Sequence, residues 1–241
     1  MNILITLCAR GGSKGIPRKN IKELNGRPLI DYSIQFAKEI KAHYTNVIIE
    51  LSTDDQEIRD VADQLGLSTQ YIRPAHLASD TAGKVDVIRD VVKYAENIYK
   101  VKFDYILDLD VSSPLRTVSD VIEAFKIMTN DSEALTLFSV NKANKNPYFN
   151  MVEVNEDGYY SLSKIRDTTT LSRQAAPEVF ELNASFYIYS RAYFDSSWKG
   201  VVTDKSIVYN MFHICFDLDH PIDFEFMDFL LKNDKLPFEL I

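Results

Sequence analysis

Short apolar runs alternate with helical patterns through most of this chain, and that rhythm constrains its fold more than any other feature. Ile3–Cys8, Val47–Leu51, Tyr105–Leu109 and Ala134–Val140 are dominated by apolar residues, as strands buried on both faces of a sheet are. Between them, Leu29–Ile40, Ile58–Leu65, Val85–Tyr99 and Val118–Met128 carry helical periodicity. Ser52-Thr-Asp-Asp55, Ser79-Asp80-Thr81 and Ser119-Asp120 supply N-cap chemistry ahead of three of these helices. A short strand is expected near Gln70–Ile72. Ser185–Tyr189 and His213–Phe216 resume strand character later, and Ile222–Leu231 closes the chain as a helix. Strands alternating with helices predict the α/β class: a doubly wound, mostly parallel, Rossmann-like sheet.

The rhythm breaks between Asn141 and Leu182. That stretch is polar, holds Asn144-Lys-Asn-Pro147 and Asn155-Glu-Asp-Gly158, and shows short β-like pieces instead of a crossover helix. Residues 1–140 and 183–241 therefore form one α/β domain, with 141–182 an insertion. A bare surface loop is the plain alternative, but Tyr148, Phe149, Met151, Tyr159 and Tyr160 want a partner surface.

Bulk properties narrow the partners. A chain of 241 residues, 46% hydrophobic and 26% charged, buries a real core. Its net charge of −8, from 35 acidic and 27 basic residues, disfavours a nucleic-acid or anionic-membrane surface. Nothing approaches the run of about 20 apolar residues that crosses a bilayer, and the first apolar run is too short for a secretory signal. Cys8 and Cys215 sit in apolar runs and read as buried thiols of a reducing cytoplasm.

The basic residues gather at one place. Cys8-Ala-Arg-Gly-Gly-Ser-Lys-Gly-Ile-Pro-Arg-Lys-Asn20 follows the first apolar run, so a strand opens into a glycine-rich cationic loop at a sheet edge, where α/β proteins bind ligands. Gly11, Gly12 and Gly15 permit tight turns and close approach. Arg10, Lys14, Arg18 and Lys19 supply charge, and Ser13 and Asn20 add donors. A polyphosphate is the ligand this combination suits, although neither Gly-x-x-x-x-Gly-Lys-Ser/Thr nor Gly-x-Gly-x-x-Gly is present.

Two carboxylate pairs follow. Asp217 and Asp219 flank Leu218 after an apolar run; on a strand both would face one side and, with a phosphate, offer hard oxygens to Mg²⁺. A solvated turn capping the last helix is the structural alternative. His220 reads as a turn residue. Asp108 and Asp110 form a second Asp-x-Asp at a strand end, as in metal-dependent glycosyltransferases, which makes such an enzyme the rival reading. Arg73 precedes Pro74, which holds its backbone extended.

The loop from Ala9 to Asn20 resembles that of the CMP-nonulosonic acid synthetases, the CMP-sialic acid synthetase family. So do Arg73-Pro-Ala-His-Leu-Ala-Ser-Asp-Thr-Ala82, Ser113-Pro-Leu-Arg116, Asn146-Pro-Tyr-Phe-Asn-Met151, Ser172-Arg-Gln-Ala-Ala-Pro177, Leu182-Asn-Ala-Ser-Phe-Tyr187 and Phe216-Asp-Leu-Asp219, in order. The pattern is most similar to the branch acting on N,N'-diacetyllegionaminic acid. The resemblance implies a homodimeric cytidylyltransferase that moves CMP from CTP to the anomeric 2-hydroxyl of a nonulosonic acid and releases pyrophosphate. It implies nucleotide contacts from Ala9, Arg10, Gly11, Gly12, Ser13, Lys19, Asn20 and Arg73, with Arg73 on the cytosine side. Catalysis would rest on Arg10, Lys19 and Asp217, and Mg²⁺ on Asp217 and Asp219. Sugar contacts would come from Asp110, Ser112, Asn183 and, across a dimer interface, Arg173 and Gln174 of the inserted arm. Arg166 and Arg173 remain equal candidates for the sugar carboxylate. Where the sialic acid branch has Gln-Pro-Thr-Ser-Pro-Leu-Arg, this chain has Asp110-Val-Ser-Ser-Pro-Leu-Arg116. An amide that donates and accepts is thus replaced by an acceptor alone. A nucleotide-binding module without turnover is the non-enzyme alternative.

Overall fold

Ile3, Ile5 and Leu7 point to one face of β1 (Asn2–Cys8) and Leu4 to the other, and all are fully buried. A strand apolar on both faces belongs between two layers of helices. The computed structural model, which describes residues 1–166 and 172–241, has that architecture. After β1, the chain forms the two-residue strands β2 (Glu23–Leu24) and β3 (Arg27–Pro28), then α1 (Leu29–His43), β4 (Asn46–Ser52), α2 (Gln56–Gln64) and α3 (Lys84–Tyr99). There follow β5 (Tyr105–Leu109), α4 (Val118–Asn130), β6 (Thr136–Lys142) and a hairpin of β7 (Val152–Val154) and β8 (Tyr160–Leu162). The chain ends with β9 (Phe180–Ser190), α5 (Arg191–Phe194), β10 (Ser206–Asn210) and α6 (Pro221–Lys232).

The main sheet has the order β10-β6-β9-β5-β1-β4. β1 pairs parallel with β4 and β5, β6 pairs parallel with β10, and β9 runs antiparallel between β5 and β6. One core joins α1, α4 and α6 to the Ile5 face; a second joins α3 and Phe103 to the Leu4 face. The chain leaves β1 for β4 on one side and then returns for β5 on the other. That reversal opens a crevice at the carboxyl ends of β1 and β5, where ligands of such sheets bind.

Several expectations change. No strand forms at Gln70–Ile72: Tyr71 is buried, Ile72 is exposed, and Arg73 N–H reaches Thr53 O at 3.0 Å without a ladder. His213–Phe216 is irregular, and the edge strand is β10, five residues upstream of Cys215 at its nearest end. Asn25 and Gly26, with φ of 50° and 77°, turn a β2–β3 hairpin that the alternation of strands and helices does not announce. The N-cap of α3 is Gly83, not Ser79–Thr81. Cys8 and Cys215 are free and half-buried. The inserted arm is shorter than expected, because β6 runs to Lys142 and β9 begins at Phe180. Within it Tyr148 and Phe149 are half-buried, whereas Met151, Tyr159 and Tyr160 are exposed.

Candidate active site

The crevice holds a cavity of about 390 Å³ lined by the 10–20 loop, Arg73, the 77–84 segment, Asp110, Ser112 and Asp219. The loop is fixed before any ligand arrives. Ala9 N–H binds Ser52 O at 2.9 Å, the buried Asn20 amide binds Arg10 O at 2.9 Å, and Gly11 N–H binds Asp54 Oδ1 at 3.0 Å. A Cβ on Gly15 would lie 2.1 Å from the Asp219 carbonyl oxygen, and one on Gly11 would lie 2.4 Å from an Asp55 carboxylate oxygen. Close packing, not a left-handed backbone, requires glycine at both. Gly12 has open space around it, and no protein contact explains it.

The loop's four cations separate. Arg10 and Lys14 line the cavity and share Asp80, at 2.6 and 2.5 Å, so Asp80 stands where an anionic ligand would bind. Lys14, and then Arg10, hold the Asp80 carboxyl below the usual range. Lys19, largely buried, reaches Asp219 Oδ1 at 3.4 Å. Arg18 is a correction to the charge count: with φ of 56° it turns away and forks onto Asp55 and Glu57 at the start of α2. It therefore anchors the loop instead of facing the cavity.

Arg73 is buried at the base of the crevice. Its guanidinium donates to Ser52 Oγ at 3.0 Å and Ser52 O at 2.7 Å, and no carboxylate pairs with it among the described residues. Cys8 lines the same region, and burial, followed by Asp108, pushes its thiol pKa far up, leaving it neutral.

The acidic wall is built differently from expectation. Asp217–Asp219 is not on a strand; Leu218 is buried and its N–H binds Ser112 O at 2.9 Å, which turns the flanking carboxylates outward from the core. Asp217 is half-buried, with a buried Oδ1 that has no hydrogen-bond partner. Burial, then Asp110 and Asp219, lift its pKa to about 7. Asp219 is mostly exposed. An orphaned buried carboxylate oxygen among like charges fits a hard cation. Among the described residues no group of three or more His, Cys, Asp or Glu assembles a complete metal site, so phosphate oxygens would have to complete it. His220 caps α6, as its place in a turn suggested.

Asp108 and Asp110 are not open to a metal. Lys84, at the start of α3, places Nζ 2.9 Å from Asp108 Oδ2 and 2.7 Å from Asp110 Oδ2. Asp108 is fully buried and accepts from Thr6 Oγ1 at 2.7 Å. Burial opposes charge on Lys84 and Asp110, but their mutual attraction prevails: Lys84 stays well above its usual pKa, and Asp110 falls to about 2. This pairing removes the observation on which the glycosyltransferase reading rested. Sequence reasoning missed Lys84, since a lysine opening a helix looks like any surface residue.

Asp110 and Ser112 do line the cavity, with Ser112 N–H and Oγ at 2.9 and 2.7 Å from Asp110 Oδ1. Asn183 does not. It is buried, and its amide is engaged by Ser139 Oγ, Ser185 N–H, Asn141 Oδ1 and Met211 Sδ. It tethers β9 beside a register shift in the β6–β9 ladder. Arg173 and Gln174 are exposed on the arm, outside the cavity, with Arg173 donating to Asn144 O. Arg166 is likewise exposed, and the arm between it and Ser172 lies outside the described residues.

A model of the family described as cytidylyltransferase matches residues 4–230. The post-translational flagellin modification protein B of Campylobacter coli is 39% identical over 241 residues, covering 97% of each chain. The CMP-N,N'-diacetyllegionaminic acid synthase of Campylobacter jejuni is 35% identical over 241 residues, again covering 97% of each. Among solved structures, CMP:2-keto-3-deoxy-manno-octonic acid synthetase complexed with CTP superposes with a TM-score of 0.67 at 16% identity, covering 97% of this chain and all of that one. At that identity it speaks for the fold. No described helix is long and apolar enough to cross a membrane.

Proposed function

The chain belongs to the cytidylyltransferase family, and from that premise we propose that it transfers CMP from CTP to the anomeric 2-hydroxyl of a nonulosonic acid of the legionaminic type, releasing pyrophosphate. One observation carries the reading. A cationic glycine loop, the Asp219 carboxylate and the buried Arg73, which no carboxylate pairs among the described residues, line a single cleft, and Asp217 with its orphaned oxygen stands two residues from Asp219. The name of the 35% identical relative supports the choice of sugar.

In this reading Arg73 and the loop backbone hold the pyrimidine end. Arg10 and Lys14 exchange Asp80 for phosphate oxygens, and Lys19 meets the negative charge that builds on departing pyrophosphate. The 2-hydroxyl attacks the α-phosphorus in line with that leaving group, so positioning and charge stabilisation do most of the catalytic work. Asp217 and Asp219 would hold Mg²⁺, which neutralises phosphate charge and acidifies a bound hydroxyl. The exposed apolar residues of the arm favour a homodimer in which Arg173 and Gln174 serve the neighbouring subunit's cleft. Free half-buried thiols suit the reducing cytoplasm.

Pyrophosphate release, measured with CTP, ATP and GTP against a panel of nonulosonic acids, tests the reading. CTP with a legionaminic-type acid should give the highest kcat/KM. Comparable turnover with a purine nucleotide would overturn the cytidylyl assignment, and preference for N-acetylneuraminic acid would move the chain to the sialic acid branch.

A further inference from the structure

The Lys84 cluster has more structure than a buried ion pair needs. Lys84, Asp108 and Asp110 together carry one net negative charge. Asp108 is sealed below the cleft with Thr6, while Lys84 and Asp110 remain 35% and 23% exposed and both line the cavity. Lys84 also borders a second cavity of about 270 Å³, with Tyr187, Tyr189 and Val201. Its ammonium lies 4.6 Å from the centroid of the Tyr187 ring.

The hydrogen-bond capacity that the cluster leaves unused selects its ligand. An ammonium has three N–H bonds; one is donated to Asp110, while Asp108 Oδ2, 2.9 Å away, is an ion-pair contact that forms no hydrogen bond. A carboxylate accepts about four hydrogen bonds; Asp110 takes two from Ser112 and one from Lys84. At least one donor on Lys84 and one acceptor on Asp110 remain, on atoms 2.7 Å apart. A secondary amide presents its N–H and C=O in opposite directions and cannot meet both. A ligand carboxylate meets a cluster already negative. A single hydroxyl meets both, accepting from Lys84 Nζ while donating to Asp110 Oδ2.

We propose that Lys84 and Asp110 together bind one free hydroxyl of the acceptor sugar, making Lys84 a specificity-determining residue. This rests on the cytidylyl-transfer reading. The hydroxyl could belong to the ribose of the nucleotide as a matter of chemistry, but the second cavity beside Lys84, which shares no other residue with the phosphate-loop cavity, favours the sugar. Ammonium and carboxylate together demand both a donor and an acceptor from one oxygen, so the site rejects a deoxy or O-acylated sugar at that position.

The test is steady-state pyrophosphate release by the full-length protein, with the preferred acid, its monodeoxy analogues, CTP and 2'-deoxy-CTP. Lys84→Met should raise KM for the acid about tenfold to a hundredfold, the effect of losing one charge-assisted hydrogen bond, and leave KM for CTP within about twofold. Wild type should discriminate strongly against one monodeoxy acid, and the variant should lose that discrimination alone. Lys84→Met leaves two carboxylates unpaired, so the neutral triple variant Lys84→Met/Asp108→Asn/Asp110→Asn is measured beside it and should lose the same preference. Unchanged discrimination in whichever of these folds as wild type does, or a rise confined to KM for CTP and loss of selectivity against 2'-deoxy-CTP, overturns the proposal. Failure of wild type to release pyrophosphate with any acid would instead overturn the underlying function.

Discussion

Replacing Asp217 with Asn should make the metal-free protein more stable and nearly inactive. Without a cation the Asp217 carboxyl is lifted from 3.8 to about 7 by burial, then by Asp110 and Asp219. A group whose folded pKa is raised contributes stability that is fully present below its unfolded pKa and is lost as pH climbs through the folded value. One pH unit of displacement is worth about 1.4 kcal/mol, so the ionised carboxylate costs wild type on the order of 4 kcal/mol at pH 8. Partial solvation trims this to roughly 2–4 kcal/mol. Asparagine does not ionise. In chelator at pH 8 the variant should therefore melt roughly 5–15 °C above wild type, and the gap should close towards pH 4. Added Mg²⁺ should raise the melting temperature of wild type in proportion to the logarithm of its concentration and leave the variant largely unmoved. Pyrophosphate release by the variant should fall by orders of magnitude. A variant less stable than wild type in chelator at pH 8 would refute the reasoning, because the carboxylate would then have a favourable partner.

Gly15→Ala sets a Cβ against the Asp219 carbonyl at 2.1 Å, whereas Gly12→Ala meets nothing within 4 Å. The former should cost about 1–3 kcal/mol and much of the turnover in melting and release assays, and equal behaviour of the two would contradict the close-packing argument. Lys19→Ala should lower kcat more than it raises KM for CTP; a KM effect alone would demote Lys19 to ground-state binding. Asp80→Asn releases Arg10 and Lys14, so pyrophosphate should inhibit more tightly, and more so at low salt, as read by inhibition constants in a salt series. Mixing Arg173→Ala with Asp217→Asn subunits should restore part of the activity if the arm serves a neighbouring cleft, and no recovery in verified mixed dimers would count against a shared site.

The sheet was legible because its strands are apolar on both faces, and β5 falls on Tyr105–Leu109 as read. β10 was missed although Ile207-Val208-Tyr209 is as long an apolar run as Ile214-Cys215-Phe216, because it is a half-buried edge strand and not one buried on both faces. His213–Phe216 has such a run, but it is held by side-chain bonds from Asn141 to Met211 O and His213 O instead of a ladder. The loop's charge was visible in the sequence; its division was not, since only the left-handed turn at Arg18 sends one cation to α2. Asn183 shows the converse: a motif position is legible, but whether its amide is free depends on partners scattered from Ser139 to Met211.

The antiparallel strand β9 also bears on the order in which the molecule assembles. β1 pairs with both β4 and β5 from within the first 109 residues, a three-stranded nucleus of modest sequence separation. β6 finds its neighbours only in β9 and β10, both synthesised after it. During synthesis β6 therefore waits, with both edges open, until the whole arm has emerged and β9 can close the gap. Long-range closure of this kind slows folding and exposes strand edges to wrong partners. The cleft is lined by both the phosphate loop after β1 and Asp219 after β10, so a nascent chain cannot complete it before residue 219 has emerged.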